Sequence, residues 1–151
     1  MAKKATKIIL LILLLGALFF FWLKKPVKVT KTTAEPKTED FILQKAKDYW
    51  DAVRFEDWSM TYDFMCEDVK SLVSRDKYIQ KNKEDVEERP LAKLTKIEFE
   101  SSRIDGNYAY IRIIGYTMFY TEGLPDMTEL KYENGKWCKT LTNDTKEWLI
   151  E

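Results

Sequence analysis

The chain has 151 residues, room for one ordinary domain or a domain with an appendage. Its formal charge is zero, but residues 1–37 hold eight Lys against one acid, Glu35 (net +7), and residues 38–151 hold 17 Lys/Arg against 24 Asp/Glu (net −7). The acidic part repels phosphates and argues against nucleic acid as a partner, while the absence of histidine removes Ser-His-Asp and Cys-His nucleophile systems, His metal sites and the usual near-neutral general base.

Ile8 to Leu23 is a run of sixteen residues without a charge. As a helix it would rise roughly 24 Å, slightly less than a hydrocarbon core of roughly 30 Å. Lys4, Lys7, Lys24 and Lys25 flank it and can snorkel, and Trp22 suits the interface. Residues 1–23 therefore read as a basic tail and an uncleaved transmembrane helix, making this a single-pass membrane protein. A cleaved signal peptide is the alternative: the length and basic start fit, but FFFWLKKP offers no small-x-small site and no cysteine follows for lipid attachment. A buried core helix fits least, because this run is apolar on every face. Lysines are nearly balanced across the span. The short leading tail favours the N-terminus inside and the domain outside the cytoplasm.

Residues 24–38, rich in Lys, Thr and Pro, read as an extended, mobile basic linker. The domain is expected over residues 39–151. A first helix starts near Thr38 or Asp40, with Ile42, Ala46, Tyr49, Trp50 and Val53 on one face at helical spacing. After a break at Phe55 to Asp57, a second helix aligns Trp58, Thr61, Tyr62 and Met65. A brief strand is expected at Val69 to Val73. Ser74 reads as the N-cap of a third helix carrying Tyr78, Ile79 and Val86, which Pro90 ends.

Beyond Pro90 the period changes from 3.6 to 2. Leu94 to Ser102 reads as a strand with Ile97, Phe99 and Ser101 on one face, and Asp105-Gly106-Asn107 as a hairpin turn. Tyr108 to Tyr120 follows as a long strand: Ala109, Ile111, Ile113 and Phe119 on one side; Tyr108, Tyr110, Ile114, Tyr116 and Met118 on the other. Both faces are apolar enough to be covered, and Gly115 suggests a bulge or bend. A loop at Thr121 to Asp126 leads to strands at Met127 to Tyr132 and Trp137 to Leu141, joined by a turn at Glu133 to Lys136. In the tail, Trp148, Leu149 and Ile150 can pack back on the domain. The fold class is α+β: three helices packed on a curved antiparallel sheet of about four strands.

This order resembles the NTF2-like (cystatin-like α+β) superfamily. The residues that carry the likeness are Tyr49 to Val53 on the first helix, Phe55 to Trp58 and Tyr62 to Met65 at the second, Ser74 to Ile79 opening the third, and the final hairpin Tyr132 to Trp137. The resemblance implies a cone in which helices lie on the concave face of a curved sheet. The superfamily holds ketosteroid-isomerase-like enzymes, ligand binders and non-catalytic domains tethered to bacterial membranes. The layout here is most similar to the tethered group. No catalytic residue carries over, since histidine is absent and Val69 to Val73 offers only Lys70 and Ser71 as polar side chains.

Trp50, Trp58, Tyr62, Tyr108, Tyr110 and Tyr116 are candidates to line an aromatic pocket, with ordinary core and surface packing as the plainer reading. Cys66 and Cys138, the only cysteines, are candidates for one disulfide or for two separate buried thiols. No metal spacing and no cofactor motif is present, and the acid clusters read as solvated helix ends. The expected function is therefore a membrane-tethered, non-catalytic interaction or scaffold module of the cell envelope, with an envelope protein as partner and self-association left open. The alternative is an extracytoplasmic binder of an apolar small molecule, and less readily a ketosteroid-isomerase-like enzyme.

Overall fold

The computed structural model describes residues 34–150. The expected membrane span and most of the basic linker lie outside these residues. No helix among the described residues is long and apolar enough to cross a membrane. The elements in chain order are α1 (Glu39–Arg54), α2 (Trp58–Phe64), α3 (Glu67–Leu72), α4 (Arg75–Glu88), a 3-10 turn (Pro90–Ala92), β1 (Leu94–Asp105), β2 (Tyr108–Thr117), β3 (Leu124–Glu133), β4 (Lys136–Lys139) and α5 (Asn143–Ile150).

Side chains set the helix starts. Thr38 caps α1 by accepting from Phe41 N, Asp57 caps α2 by accepting from Met60 N, and Ser74 caps α4 by accepting from Lys77 N. Each oxygen pairs a donor that the first turn leaves free. Between α1 and α2 the chain reverses through Glu56, a non-glycine residue at φ 60°. The segment expected as a strand at Val69 to Val73 is instead helical from Glu67 to Leu72. Glu67 and Asp68 sit in its first turn, where the helix dipole favours acids, and Val69 is buried. Two residues before Glu67, Met65 makes an isolated β-bridge to the sheet, parallel to Lys139.

The sheet is a four-stranded antiparallel meander in the order β1-β2-β3-β4. Gly106 (φ 60°) opens the first hairpin turn, and Asn134 and Gly135 (φ 52° and 81°) make the last one. These are the left-handed positions that two-residue hairpin loops require. The curvature arises on β1, where its pairing with β2 slips by one residue at Leu94/Lys96 and again at Phe99/Ser101. A bulge shifts the alternation of side chains. Ile97 and Phe99 face the helices, but beyond the second bulge it is Ser102 and Ile104 that do so, and Ser101 is exposed. The bulges are thus on β1 and not at Gly115. Gly115 serves a close approach instead: a Cβ there would lie 3.2 Å from Leu94 Cδ2.

The other strand limits also differ from the sequence reading. β2 ends at Thr117, so Phe119 joins neither face. β3 begins earlier, at Leu124, and β4 stops at Lys139. Only one face of the sheet is covered among the described residues. Ile42 and Ala46 of α1 pack there on Ala109, Ile111, Ile113, Leu130 and Trp137. Full burial of a side chain such as Ile42 is worth about 1.5–3 kcal/mol. A second core joins the other helices, with Tyr49, Met65, Val69, Val73, Tyr78 and Leu149 in contact. Leu149 brings in α5, whose C-terminal carbonyls accept from Lys77 and Lys81 of α4. Trp148 is half-buried in that cluster, and Ile150 stays exposed.

The end of the expected linker is part of the domain. Glu35 N donates to Gly135 O at 2.8 Å, and Glu35 accepts from Trp137 N at 2.6 Å. The Trp137 indole donates to Pro36 O, and Lys45 pairs with Glu35 at 2.7 Å. The chain therefore enters at the end of the sheet that carries the β1–β2 and β3–β4 turns. The β2–β3 connection lies at the opposite end.

Candidate functional site

A cleft of about 230 Å³ opens between the C-terminal half of α1, the start of α2 and the length of α4. Tyr49, Trp50 and Val53 come from α1, Trp58 from α2, and Tyr78, Asn82, Asp85 and Val86 from α4. Helical spacing explains the set, because positions 49, 50 and 53 share one face of α1, as 78, 82, 85 and 86 share one face of α4. The Trp50 indole is held by donating to the buried Thr128 hydroxyl of β3 at 2.6 Å. At the rim, Glu56 pairs with Lys93 and Asp85 pairs with Arg89.

Burial raises the Tyr49 hydroxyl well above the ordinary tyrosine value, with smaller contributions from Tyr78 and Asp126. Burial also raises Tyr78, opposed by a hydrogen bond with Thr61. Both remain neutral hydroxyls at physiological pH. No Asp or Glu among the described residues is fully buried. The isomerase reading asks for a buried carboxylate beside a tyrosine hydroxyl, whereas the carboxylate that a tyrosine holds here, Glu98 beside Tyr116, is only partly buried. Burial lowers the Lys139 ammonium from its usual value, while Asp126 and Glu129 oppose the shift. Its Nζ donates to Thr140 O at 2.6 Å, away from the cleft-lining set.

The structure divides the six aromatics that the sequence grouped. Trp50 and Trp58 line the cleft. Tyr62 does not: its hydroxyl donates to Val73 O at 3.0 Å, and its ring lies against Tyr78 and Arg75. Tyr108, Tyr110 and Tyr116 lie on the other side of the sheet. Their neighbours in β2 at positions 109, 111 and 113 face the helices, and alternate residues of a strand point oppositely. Tyr110 stacks beneath Arg103, and Tyr116 donates to Glu98 at 2.8 Å. The Lys96 ammonium, then the Tyr116 hydroxyl, lowers the Glu98 carboxyl below its ordinary value. Tyr49 and Tyr78 are the aromatic residues of the cleft that lie outside the six candidates. Tyr49 sat in the helix pattern beside Trp50, and it belongs both to the second core and to the lining of the cleft.

The outer face of the sheet and the β2–β3 tip form the second notable surface. Met118, Phe119 and Tyr120 are 64%, 65% and 54% exposed, and Met127 is 52% exposed. Gly123 (φ 84°) closes the tip tightly, because a Cβ there would lie 2.4 Å from Ile114 Cγ2.

Cys66 and Cys138 are joined by a disulfide that spans 72 positions of sequence. It ties the segment before α3 to β4, next to the Cys66 N to Lys139 O hydrogen bond of 3.1 Å. Glu133 lies close to both sulfurs. Its carboxylate is already engaged by Lys131 and Glu67 N, and with the sulfurs bonded to each other this cluster offers no thiolate for a metal. The acid clusters have structural partners: Asp57 caps α2, Asp68 pairs with Lys146 at 2.7 Å, and Asp85 pairs with Arg89.

No family model matches this chain, and no curated protein matches it either. Among solved structures it is similar to a crystal structure described as an NTF2-like transpeptidase from Campylobacter jejuni. The TM-score is 0.50 at 17% sequence identity, over 67% of this chain and 98% of that one. The described domain therefore has an NTF2-like fold, with four antiparallel strands and packed helices. At this identity the likeness concerns the fold alone.

Proposed function

We propose that this chain is a membrane-tethered interaction module of the cell envelope, non-catalytic, with its domain outside the cytoplasm. One observation carries the reading: the apolar exposure on the β2–β3 hairpin, where Met118, Phe119, Tyr120 and Met127 stand free of the core. Met118, Phe119 and Tyr120 follow one another at the tip, and adjoining large exposed apolar side chains mark interaction surfaces. The tip lies at the end of the sheet opposite to where the chain enters the domain, so a tether at one end leaves the other free. The apolar run over residues 8–23, taken as an uncleaved anchor, and the Cys66–Cys138 bond, which suits an oxidising compartment, are what the location rests on. The partner is an envelope protein.

The test is site-specific photo-cross-linking from position 119 of the full-length protein in intact cells, with position 83 on α4 as control. The reading expects a discrete adduct from position 119 that Met118→Asp abolishes. Identical adduct patterns from the two positions, or adducts indifferent to Met118→Asp, would overturn it. A second reading, small-molecule binding, is favoured by a separate observation: the aromatic cleft between α1, α2 and α4.

A further inference from the structure

We infer that the protein partner of this module presents an acidic side chain, whose carboxylate sits between Arg103 and Arg112 on the outer face of the sheet. The inference rests on the interaction reading above and gives the docking segment a chemistry, an acid beside an apolar residue. A groove of about 340 Å³ crosses that face, lined by Ser101, Ser102, Arg103, Tyr110, Arg112 and Met127. Strand pairing explains the set. Ser101 lies opposite Arg112 and Arg112 opposite Met127, which makes one row across β1, β2 and β3. Arg103 lies opposite Tyr110 in the next row. Without the slip at Phe99/Ser101, Arg103 would share the face of Ile97 and Phe99 and point to the helices. The bulge turns it outward.

Charge gives the ligand class. Two arginines and no acid line this groove, although residues 38–151 carry a net charge of −7. The grooves along α4 each hold two or three acids instead. Arg112 is engaged through Nε, which donates to Glu100 Oε2 at 2.7 Å. Arg103 forms no ion pair among the described residues; its guanidinium lies over the Tyr110 ring, 5.1 Å from the centroid. Glu129, the acid opposite Tyr110 on β3, accepts from the Thr140 hydroxyl at 3.0 Å. Stacking fixes the plane of Arg103 and leaves its N–H edge to bond, so little freedom is lost on pairing. One guanidinium without an acid matches one negative charge. A phosphate monoester carries nearly two, and Glu98 and Glu100 of the same strand would repel the second. A carboxylate carries one and meets the guanidinium fork with two parallel hydrogen bonds.

Met127 joins the groove to the tip, since it lines the groove and is also one of the exposed apolar residues of the interaction surface. A segment lying on Met127 reaches the arginines without leaving the sheet. Such an arrangement puts an apolar contact beside a charge that sets the orientation of the partner.

The test places a photo-cross-linker at position 101, in the groove, or at position 119, on the tip, of the full-length protein in intact cells. Both positions should give adducts with the same protein, and the peptide joined to position 101 should contain Asp or Glu. Arg103→Glu should cut the yield from position 101 by about tenfold or more, because like charges brought together are strongly unfavourable. Unchanged near-UV circular dichroism would show that this variant is folded. Reversing the charge of the partner's acid should restore the adduct in Arg103→Glu, which a purely structural role for Arg103 would not allow. A yield indifferent to Arg103→Glu, a joined peptide without an acid, or an adduct with lipid would overturn the inference. An adduct from position 119 with none from position 101 would also overturn it and leave the interaction reading standing. No adduct from either position would remove both.

Discussion

Removing the Cys66–Cys138 bond should destabilise the domain by about 4 kcal/mol. The bond closes a loop of 72 positions, and the chain-entropy relation assigns such a loop roughly 15 cal/mol/K, or about 4 kcal/mol at 25 °C. Small domains are stable by only about 5–15 kcal/mol, so the bond would supply a large share of the whole. Cys66→Ala with Cys138→Ala is the suitable perturbation. Cys66 is fully buried and Cys138 nearly so, and serine would add the cost of burying a hydroxyl. The segment Met65–Cys66 would keep its backbone bond to Lys139 O, so the native fold should survive. Guanidinium unfolding of the oxidised parent and the double variant, extrapolated linearly, gives the difference. The variant should also show a steeper denaturant dependence, because its unfolded chain expands further. A loss below about 1 kcal/mol with an unchanged slope would refute the reasoning, since the bond would then not restrain the unfolded ensemble. Thiol alkylation of protein taken directly from cells would show whether the bond forms there. Two reactive thiols would also count against an oxidising compartment.

Leu149→Ala should cost about 3 kcal/mol, as for other fully buried leucines; a thermal midpoint unmoved by the change would mean that α5 does not contribute to the core. Trp50→Phe removes the donor to Thr128 and should cost about 1–2 kcal/mol, with Thr128→Val recovering part of it, measured as a double-mutant cycle. The hydrogen bond from Lys146 holds the Asp68 carboxyl below its ordinary value. Its contribution is therefore present above the ordinary aspartate pKa and fades as pH falls through the depressed value. The pair is exposed, so the effect is small; Lys146→Met should return the Asp68 titration, followed by NMR, to the ordinary range. Gly123→Ala places a Cβ against Ile114 at a left-handed φ and should cost about 1–3 kcal/mol, read from the same unfolding curves.

The starts of α1, α2 and α4 were legible because they rest on local chemistry, whereas α3 was read as a strand. Thr38, Asp57 and Ser74 are capping side chains, and each sits three residues before the amide it accepts from. The face carrying Ile42, Ala46 and Tyr49 was readable for the same reason, since one period decides which side of α1 is apolar. The turns at Gly106 and Asn134-Gly135 follow from residues that tolerate positive φ. The bulges on β1 were not legible. Nothing in the composition of Leu94 to Asp105 marks where a residue is left out of register, and that choice depends on the pairing with β2. Of the six candidate pocket aromatics, two, Trp50 and Trp58, line the cleft. A strand alternates its side chains whether or not either face is covered, so the pattern of Tyr108, Tyr110 and Tyr116 could not show that the helices lie behind the opposite face.

By itself, then, the amino-acid order determined the apolar run over Ile8 to Leu23, the charge division on either side of residue 37, the absence of histidine chemistry and the α+β succession of elements. These depend on neighbours a few residues apart. Tertiary structure decided that Cys66 meets Cys138 and that Glu35 and Pro36 lie against the last hairpin. It also placed Tyr49 and Trp58 with residues of α4 around one cleft. Those contacts join positions far apart in the chain, and their free energy exists only once the sheet has curved and the helices have closed over one side of it.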